Sequence, residues 1–393
     1  MSIRYWFRYR SRECVGPIAA VTLLLVLASC SPKSGASADS PTMKAAALSM
    51  SSGLDYVKGQ LAKYTAIPTF TPPGPPINVK SLTGKIIFNV PQTETIPFLS
   101  ITIKAMADIA KDIGVKFVDY PTTGQPSQWV QGISQAIAEK AKVLSLNVVD
   151  PREVGPQIDQ AKAAGIPAVS EQFFDVTQAG EVPSNVAGNR ADQFTEAAKL
   201  EADWAIQDTS GAADVLVVYN KEVLSSVAMV AALQSEFTTY CSACKVTYLD
   251  VPATDWATKV QPEVASALVQ DSKVNYIIPI YDALAQFVVP AIVASSKVGQ
   301  VHVATFNGTP FALKMIQDGD VVRMDVGEDL SWLAYANMDE LLRVALGQPP
   351  LADEHTALRV FTKANVAETG TPPTYNNGFG DSYVTGYKQL WGL

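Results

Sequence analysis

From Lys85 to Val169 the chain repeats one unit, an apolar strand followed by an amphipathic helix, and this repetition constrains the fold more than any single residue. The first strand reads Lys85-Ile-Ile-Phe-Asn-Val90 and leads through the polar loop Pro91–Thr95. The helix after it carries Leu99, Ile103, Met106, Ala110 and Ile113 on one face at helical spacing and stops at Gly114. A strand over 115–120, a helix over 126–140, a strand over 143–149, a helix ending near Gly165 and a strand over 166–169 follow. This rhythm predicts parallel strands joined by crossover helices, a doubly wound α/β sheet. Ligands bind such sheets beyond the carboxyl ends of the strands, which here carry Gln92 to Phe98, Gln125, Asp150 and Glu171.

The N-terminus points to export. Arg4, Arg8, Arg10 and Arg12 precede an apolar run, 15–28, that is too short to span a bilayer and ends at Leu27-Ala28-Ser29-Cys30. That box resembles a bacterial lipoprotein signal in which Cys30 becomes the lipidated first residue. Cleavage there removes four arginines and Glu13 and takes the net charge from −8 to −11. An acidic chain lacks the basic footprint of nucleic-acid binding, and no other run is long and apolar enough to cross a membrane. With Cys14 and Cys30 set aside, Cys241 and Cys244 remain, and in an exported chain they are expected to form a small structural disulfide. His302 and His355 are isolated, so the sequence predicts neither a metal site nor a catalytic triad, and no cofactor motif is present.

Residues 31–40 read as a flexible tether, 43–64 as a helix, and 68–76, with five prolines, as extended chain. After Val169 the alternation continues. Short strand 185–187 precedes helix 191–207, and strands follow over 214–219, 245–251, 274–278, 301–306 and 321–326, with helices between them. A long helix over 329–346 ends at Gly347-Gln-Pro-Pro350, and an aromatic tail follows.

Several local patterns, in this order, resemble the type I periplasmic binding proteins, the ribose-binding-like substrate-binding components of ABC importers. They are Asn147–Pro151, Ala163-Ala-Gly-Ile-Pro-Ala-Val169, Tyr281-Asp282-Ala283, Phe306-Asn307-Gly308, Lys314–Gly319 and Leu341–Gly347. The resemblance implies two doubly wound parallel-sheet lobes joined by a hinge of three crossovers. Lobe one would comprise 78–187 plus 328–357, lobe two 188–327 plus 358–393, and 30–77 would be tether, helix and linker. The hinge would lie near Gly188, Gly327 and Ala357 and close on ligand. It further implies an exported, lipid-anchored monomer that captures a small polar solute, a sugar or polyol, without catalysis and delivers it to an ABC permease. A sensor component with a signalling partner, and a secreted α/β hydrolase using Asp150 and Glu171, are the alternatives.

Within that frame Phe98 either stacks on a sugar ring or belongs to the core, and Trp129 is a cleft wall or a helix–sheet packer. Trp332, at the start of the last long helix, is expected to contact ligand through its flat apolar face. Asp150, Glu171 and Asp282 are placed to accept hydroxyl hydrogen bonds, although Asp150 also suits bracing its turn and Asp282 an N-cap. Gln125 and Tyr281 complete the expected polar lining. Asn307 stands where the family has an aspartate, and Ser225 or Ser226 where it often has an arginine. Arg190 is expected to supply the missing positive group, and Glu328 lies near the family's hinge glutamine.

Overall fold

The computed structural model describes residues 41–351 and 354–393. The basic leader, Cys14, Cys30 and the 31–40 tether lie outside the described residues. The chain divides into two units, Met1–Lys44 and Ala45–Leu393, and both sheets lie in the second. Helix α1 (Pro41–Lys63) precedes the first sheet. That sheet is built from β1 (Ile86–Pro91), α2 (Pro97–Asp112), β2 (Lys116–Asp119), α3 (Pro126–Ala138), β3 (Val143–Asn147), α4 (Gly155–Ala163), β4 (Ala168–Asp175) and β5 (Gly188–Asp192). Its strands are all parallel, in the order β2-β1-β3-β4-β5, with Ile87 facing Phe117 on one side and Val143 on the other. β3 is buried along its whole length, which is why Val-Leu-Ser-Leu-Asn reads as a continuous run and not an alternating one.

The second sheet follows: α5 (Phe194–Asp208), β6 (Asp214–Tyr219), α6 (Leu224–Tyr240), β7 (Lys245–Asp250), α7 (Gln261–Gln270), β8 (Tyr276–Pro279), α8 (Ala285–Ala294), β9 (His302–Asn307), α9 (Pro310–Asp318) and β10 (Val322–Glu328). After α10 (Leu330–Ala345) the chain adds β11 (Leu358–Thr362) and α11 (Ser382–Leu390). The order is β11-β10-β9-β8-β6-β7, parallel except for the antiparallel edge strand β11. Two α/β lobes therefore stand side by side. The chain passes between them after β5, after β10 and after α10, whose partner is α2 of the first lobe.

Two boundaries differ from the sequence reading. The strand expected at 185–187 is β5, at 188–192, and it pairs with β4, so lobe one extends past 187. Its sequence, Gly-Asn-Arg-Ala-Asp, shows no apolar run because Arg190 and Asp192 are buried as an ion pair. The C-terminal helix also departs from the second lobe. α11 lies against α10, Ile77 donates its amide to the Leu390 carbonyl at 2.7 Å, and Trp391 Nε1 donates to Asp339 at 2.6 Å.

The segment before β1 makes a further passage. Val57 and Leu61 of α1 are buried on the helices of lobe two, and Tyr56 stacks on Tyr240 at 3.7 Å between ring centroids. Phe70, six residues beyond Tyr64, instead packs on Trp332 and Tyr387 of lobe one. Gly386 makes room for it, since a Cβ there would lie 2.1 Å from the Phe70 ring. Cys241 and Cys244 are joined by a disulfide at the end of α6.

Candidate functional site

The carboxyl ends of the strands in both lobes face one cleft. Lobe one contributes Gln92 after β1, Ile96, Phe98 and Leu99 at the start of α2, Val148 after β3, and Gln172 within β4. Lobe two contributes Phe194, Asn220, Val223, Ser225, Trp256, Tyr281 and Asn307, with Ala253 and Ala283 between them. Together they wall an inner cavity. Two wider openings adjoin it. One, of about 980 Å³, is edged by Thr93, Thr95, Thr123, Trp129, Asp150, Glu153 and Glu222. The other, of about 940 Å³, is edged by Gln125, Thr254 and Gln286.

Three lining residues have a backbone that non-glycine residues seldom adopt: Val148 with φ 60°, Gln172 with φ 59° and Asn307 with φ 134°. Such conformations cost on the order of 1–3 kcal/mol each and persist where the surroundings over-determine them. Around Asn307 those surroundings are explicit. Asp282 accepts from the Thr309 amide (2.8 Å) and hydroxyl (2.5 Å), and Asp325 accepts from the Gly308 amide (2.8 Å). A Cβ on Gly308, at φ 73°, would lie 2.8 Å from the Glu328 carbonyl oxygen, so only glycine fits the turn. The two buried aspartates thus clamp the turn that aims Asn307 at the cleft.

A polar chain leads away from Asn307. Its Nδ2 lies 3.5 Å from Glu328 Oε2, Glu328 adjoins Asp192, and Asp192 pairs with Arg190, whose Nη2 donates to Thr356 at 3.3 Å. Burial first, and the Asp192 carboxylate second, hold the Glu328 acid well above the usual range. On the other wall Ser226 donates to Asn220 at 2.7 Å, and the Tyr281 hydroxyl bridges Ser225 and Ser226 at 3.2 and 3.1 Å. Gln172 Oε1 accepts from Asn147 and Asn337, which leaves its buried Nε2 without a partner among the described residues.

The residues singled out from sequence separate into three groups. Phe98, Tyr281 and Asn307 line the inner cavity. Trp129, Asp150 and Gln125 edge the openings. Trp129 mainly packs, with Nε1 donating to the Gln92 carbonyl at 3.0 Å, and Asp150 holds Arg152 by Nε at 2.8 Å and Nη2 at 2.6 Å. The third group lies outside the cavity walls. Glu171 accepts from Ser145 and burial pushes it up to about 8; Arg190 and Glu328 belong to the interlobe chain; Asp282 braces the Thr309 turn. Trp332 is core, stacked on Tyr383 at 5.0 Å and 12° between rings. The expectation of ligand contact by Trp332 fails because α11 returns to cover it. Leu99, Val148, Gln172, Phe194, Asn220, Val223 and Trp256 were not singled out, and most are apolar residues with no local signature beyond following a strand end.

Residues 87–349 match the family model described as a periplasmic binding protein domain. The chain belongs to the periplasmic binding protein family. Members of this family capture solutes outside the cytoplasm and are not enzymes. Solved structures share the fold of this binding protein at low identity. The 5-methylthioribose transporter solute-binding protein of Thermotoga lettingae superposes with a TM-score of 0.67 at 16% identity, covering 81% of this chain and 96% of that one. An ABC transporter solute-binding protein from Mycobacterium smegmatis, with bound glycerol, gives 0.64 at 19%, covering 75% and 99%. A carbohydrate transporter protein of Acidothermus cellulolyticus, in complex with myo-inositol, gives 0.60 at 20%, covering 73% and 97%. No curated protein sequence matches the chain.

Proposed function

We propose that this binding protein is the solute-capturing component of an ABC importer, taking an uncharged small molecule of the sugar or polyol kind between its two lobes. The observation that carries the reading is the inner cavity, walled from both lobes by aromatic faces and by neutral amides and hydroxyls. The glycerol and myo-inositol bound by the structural relatives are uncharged and hydroxylated, in keeping with that lining. Closure about the three sheet-to-sheet passages would bring Phe98 and Gln172 towards Tyr281 and Asn307 across the solute, and the Asn307–Glu328–Arg190 chain would carry that contact to the hinge. The Leu-Ala-Ser-Cys box supports anchoring by lipid on Cys30 at the outer face of the membrane, beside the permease.

A thermal-shift screen of sugars and polyols on residues 31–393, followed by calorimetry, tests the site. One-to-one binding is expected. Asn307→Ala and Gln172→Ala should each weaken it about ten- to a hundredfold, the loss of one buried hydrogen bond of about 1.5–3 kcal/mol. Unchanged affinity in both variants removes this cleft as the site, and turnover of the solute contradicts the binding role. Membrane retention of a Cys30→Ala protein, processed as before, contradicts the anchor.

A further inference from the structure

Three exposed valines gather at the end of lobe two that lies opposite the cleft. The strands of this lobe turn their carboxyl ends to the cleft, so the connections that lead from helices into strand amino ends form the other end. These are 209–213, 241–244, 271–275, 295–301 and 319–321. They are tied to one another: Asn275 Nδ2 donates to the Ala212 carbonyl at 2.9 Å, the Lys245 amide to the Ala213 carbonyl at 2.9 Å, and Lys297 Nζ to the Ser272 carbonyl at 3.3 Å. Val269 and Val293 stand one residue before the ends of α7 and α8, and Val298 lies in the connection after α8. They are 81%, 55% and 55% exposed, three of the seven large apolar residues exposed among the described residues. Lys245, Lys273 and Asp320 are exposed at the same end, so its charge is mixed.

Helix α1 points the chain towards that end. It runs antiparallel to α5 and α6: just past its C-terminus the Tyr64 hydroxyl donates to Glu196 at the start of α5 at 2.9 Å, whereas Tyr56 stacks on Tyr240 and Gly53 meets the Tyr240 carbonyl at the end of α6. Followed backwards from Gly53, the chain leaves lobe two where the valines are. Residues 31–44 reach at most about 50 Å when fully extended, at roughly 3.5 Å each. We infer, resting on the lipid anchor at Cys30, that this end of lobe two docks on the bilayer surface, with Val269, Val293 and Val298 among the headgroups and the cleft turned away from the membrane. Each valine gains by leaving water. Three of them hold a free protein weakly, but a tether of this length keeps the surface at high local concentration beside them. Because the charge is mixed, the contact depends on the valines and needs no anionic lipid.

The test holds residues 31–393, with an added N-terminal polyhistidine tag, on phosphatidylcholine vesicles that contain a nickel-chelating lipid and a lipid with a quencher on its acyl chain. A dye on Val298→Cys is compared with one on Lys221→Cys, an exposed position just past the carboxyl end of β6. Docking that seats apolar side chains about 5–10 Å deep should quench the dye at 298 at least about threefold more than the dye at 221. Val269→Ser combined with Val293→Ser, both outside the core, should bring the two signals together. Equal quenching at the two positions, or a difference that survives the double variant, overturns the inference and leaves the anchor standing. A signal that grows with protein density on the vesicle assigns the valines to a second copy of the chain and overturns it as well. The native anchor is read separately: membrane retention of the Cys30→Ala protein overturns anchor and inference together, whatever the vesicles show.

Discussion

Glu171 is fully buried on β4, with Ser145 donating to one oxygen and the other oxygen without a hydrogen-bond partner among the described residues. Burial raises its folded-state value to about 8, against 4.5 when unperturbed. Between those values the unfolded chain gives up a proton that the folded chain keeps. Its contribution to stability is therefore undiminished below about 4.5, declines as pH rises towards about 8, and levels off above that. The slope is at most about 1.4 kcal/mol per pH unit. Asp282 and Asp329, each pushed up to about 7 by burial, act in the same direction. Urea unfolding should show wild type losing more stability between pH 5 and pH 8 than Glu171→Gln loses. An equal loss in the two proteins would falsify the assignment. Little of this was legible beforehand, because a carboxylate at a strand end looks the same in sequence whether it faces a ligand or the sheet interior. Asn307 was easier to place, since the strand and the glycine after it fix where the backbone turns. Gln172 lay one position beyond Glu171, and only the left-handed backbone there reveals which of the two faces the cleft.

Among the elements, α10 and α11 explain why an aromatic-rich C-terminus follows the last long helix. Trp332 and Tyr335 of α10 meet Tyr383, Tyr387 and Trp391, with Tyr335 stacked 5.5 Å from Tyr387 and 5.6 Å from Trp391. Trp332→Ala should consequently lower stability by about 3–5 kcal/mol and leave solute affinity in the surviving folded fraction as it was. A loss of affinity with unchanged unfolding midpoint would return Trp332 to the cleft. The strand–helix alternation was legible wherever strands are buried on both faces, as β3 and β6 are. β5 was misplaced because its burial is ionic, and β11 went unseen because it is a lone antiparallel edge with no crossover helix to announce it. Periodicity also cannot reveal that α11 crosses to lobe one, since its apolar residues would suit either surface.

At the scale of the whole molecule the chain joins the lobes more often than the three passages between sheets. It also crosses between α1 and Phe70, and again between β11 and α11, so segments outside the family match at 87–349 link the two lobes as well. Each lobe consequently carries a helix from one end of the described chain: the long α1 rides on lobe two and the short α11 on lobe one. Lys58 and Lys388 are exposed on these two helices. Cysteines at these two positions, carrying a donor and an acceptor dye, would act as the jaws of a caliper. Energy transfer between them should change in one step as a solute is bound and stay constant with compounds the protein ignores. A signal that fails to move with a solute proven by calorimetry would mean that the lobes do not close. With closure, the helices at the two ends would make the protein a distance gauge for its own occupancy, readable before its solute has a name.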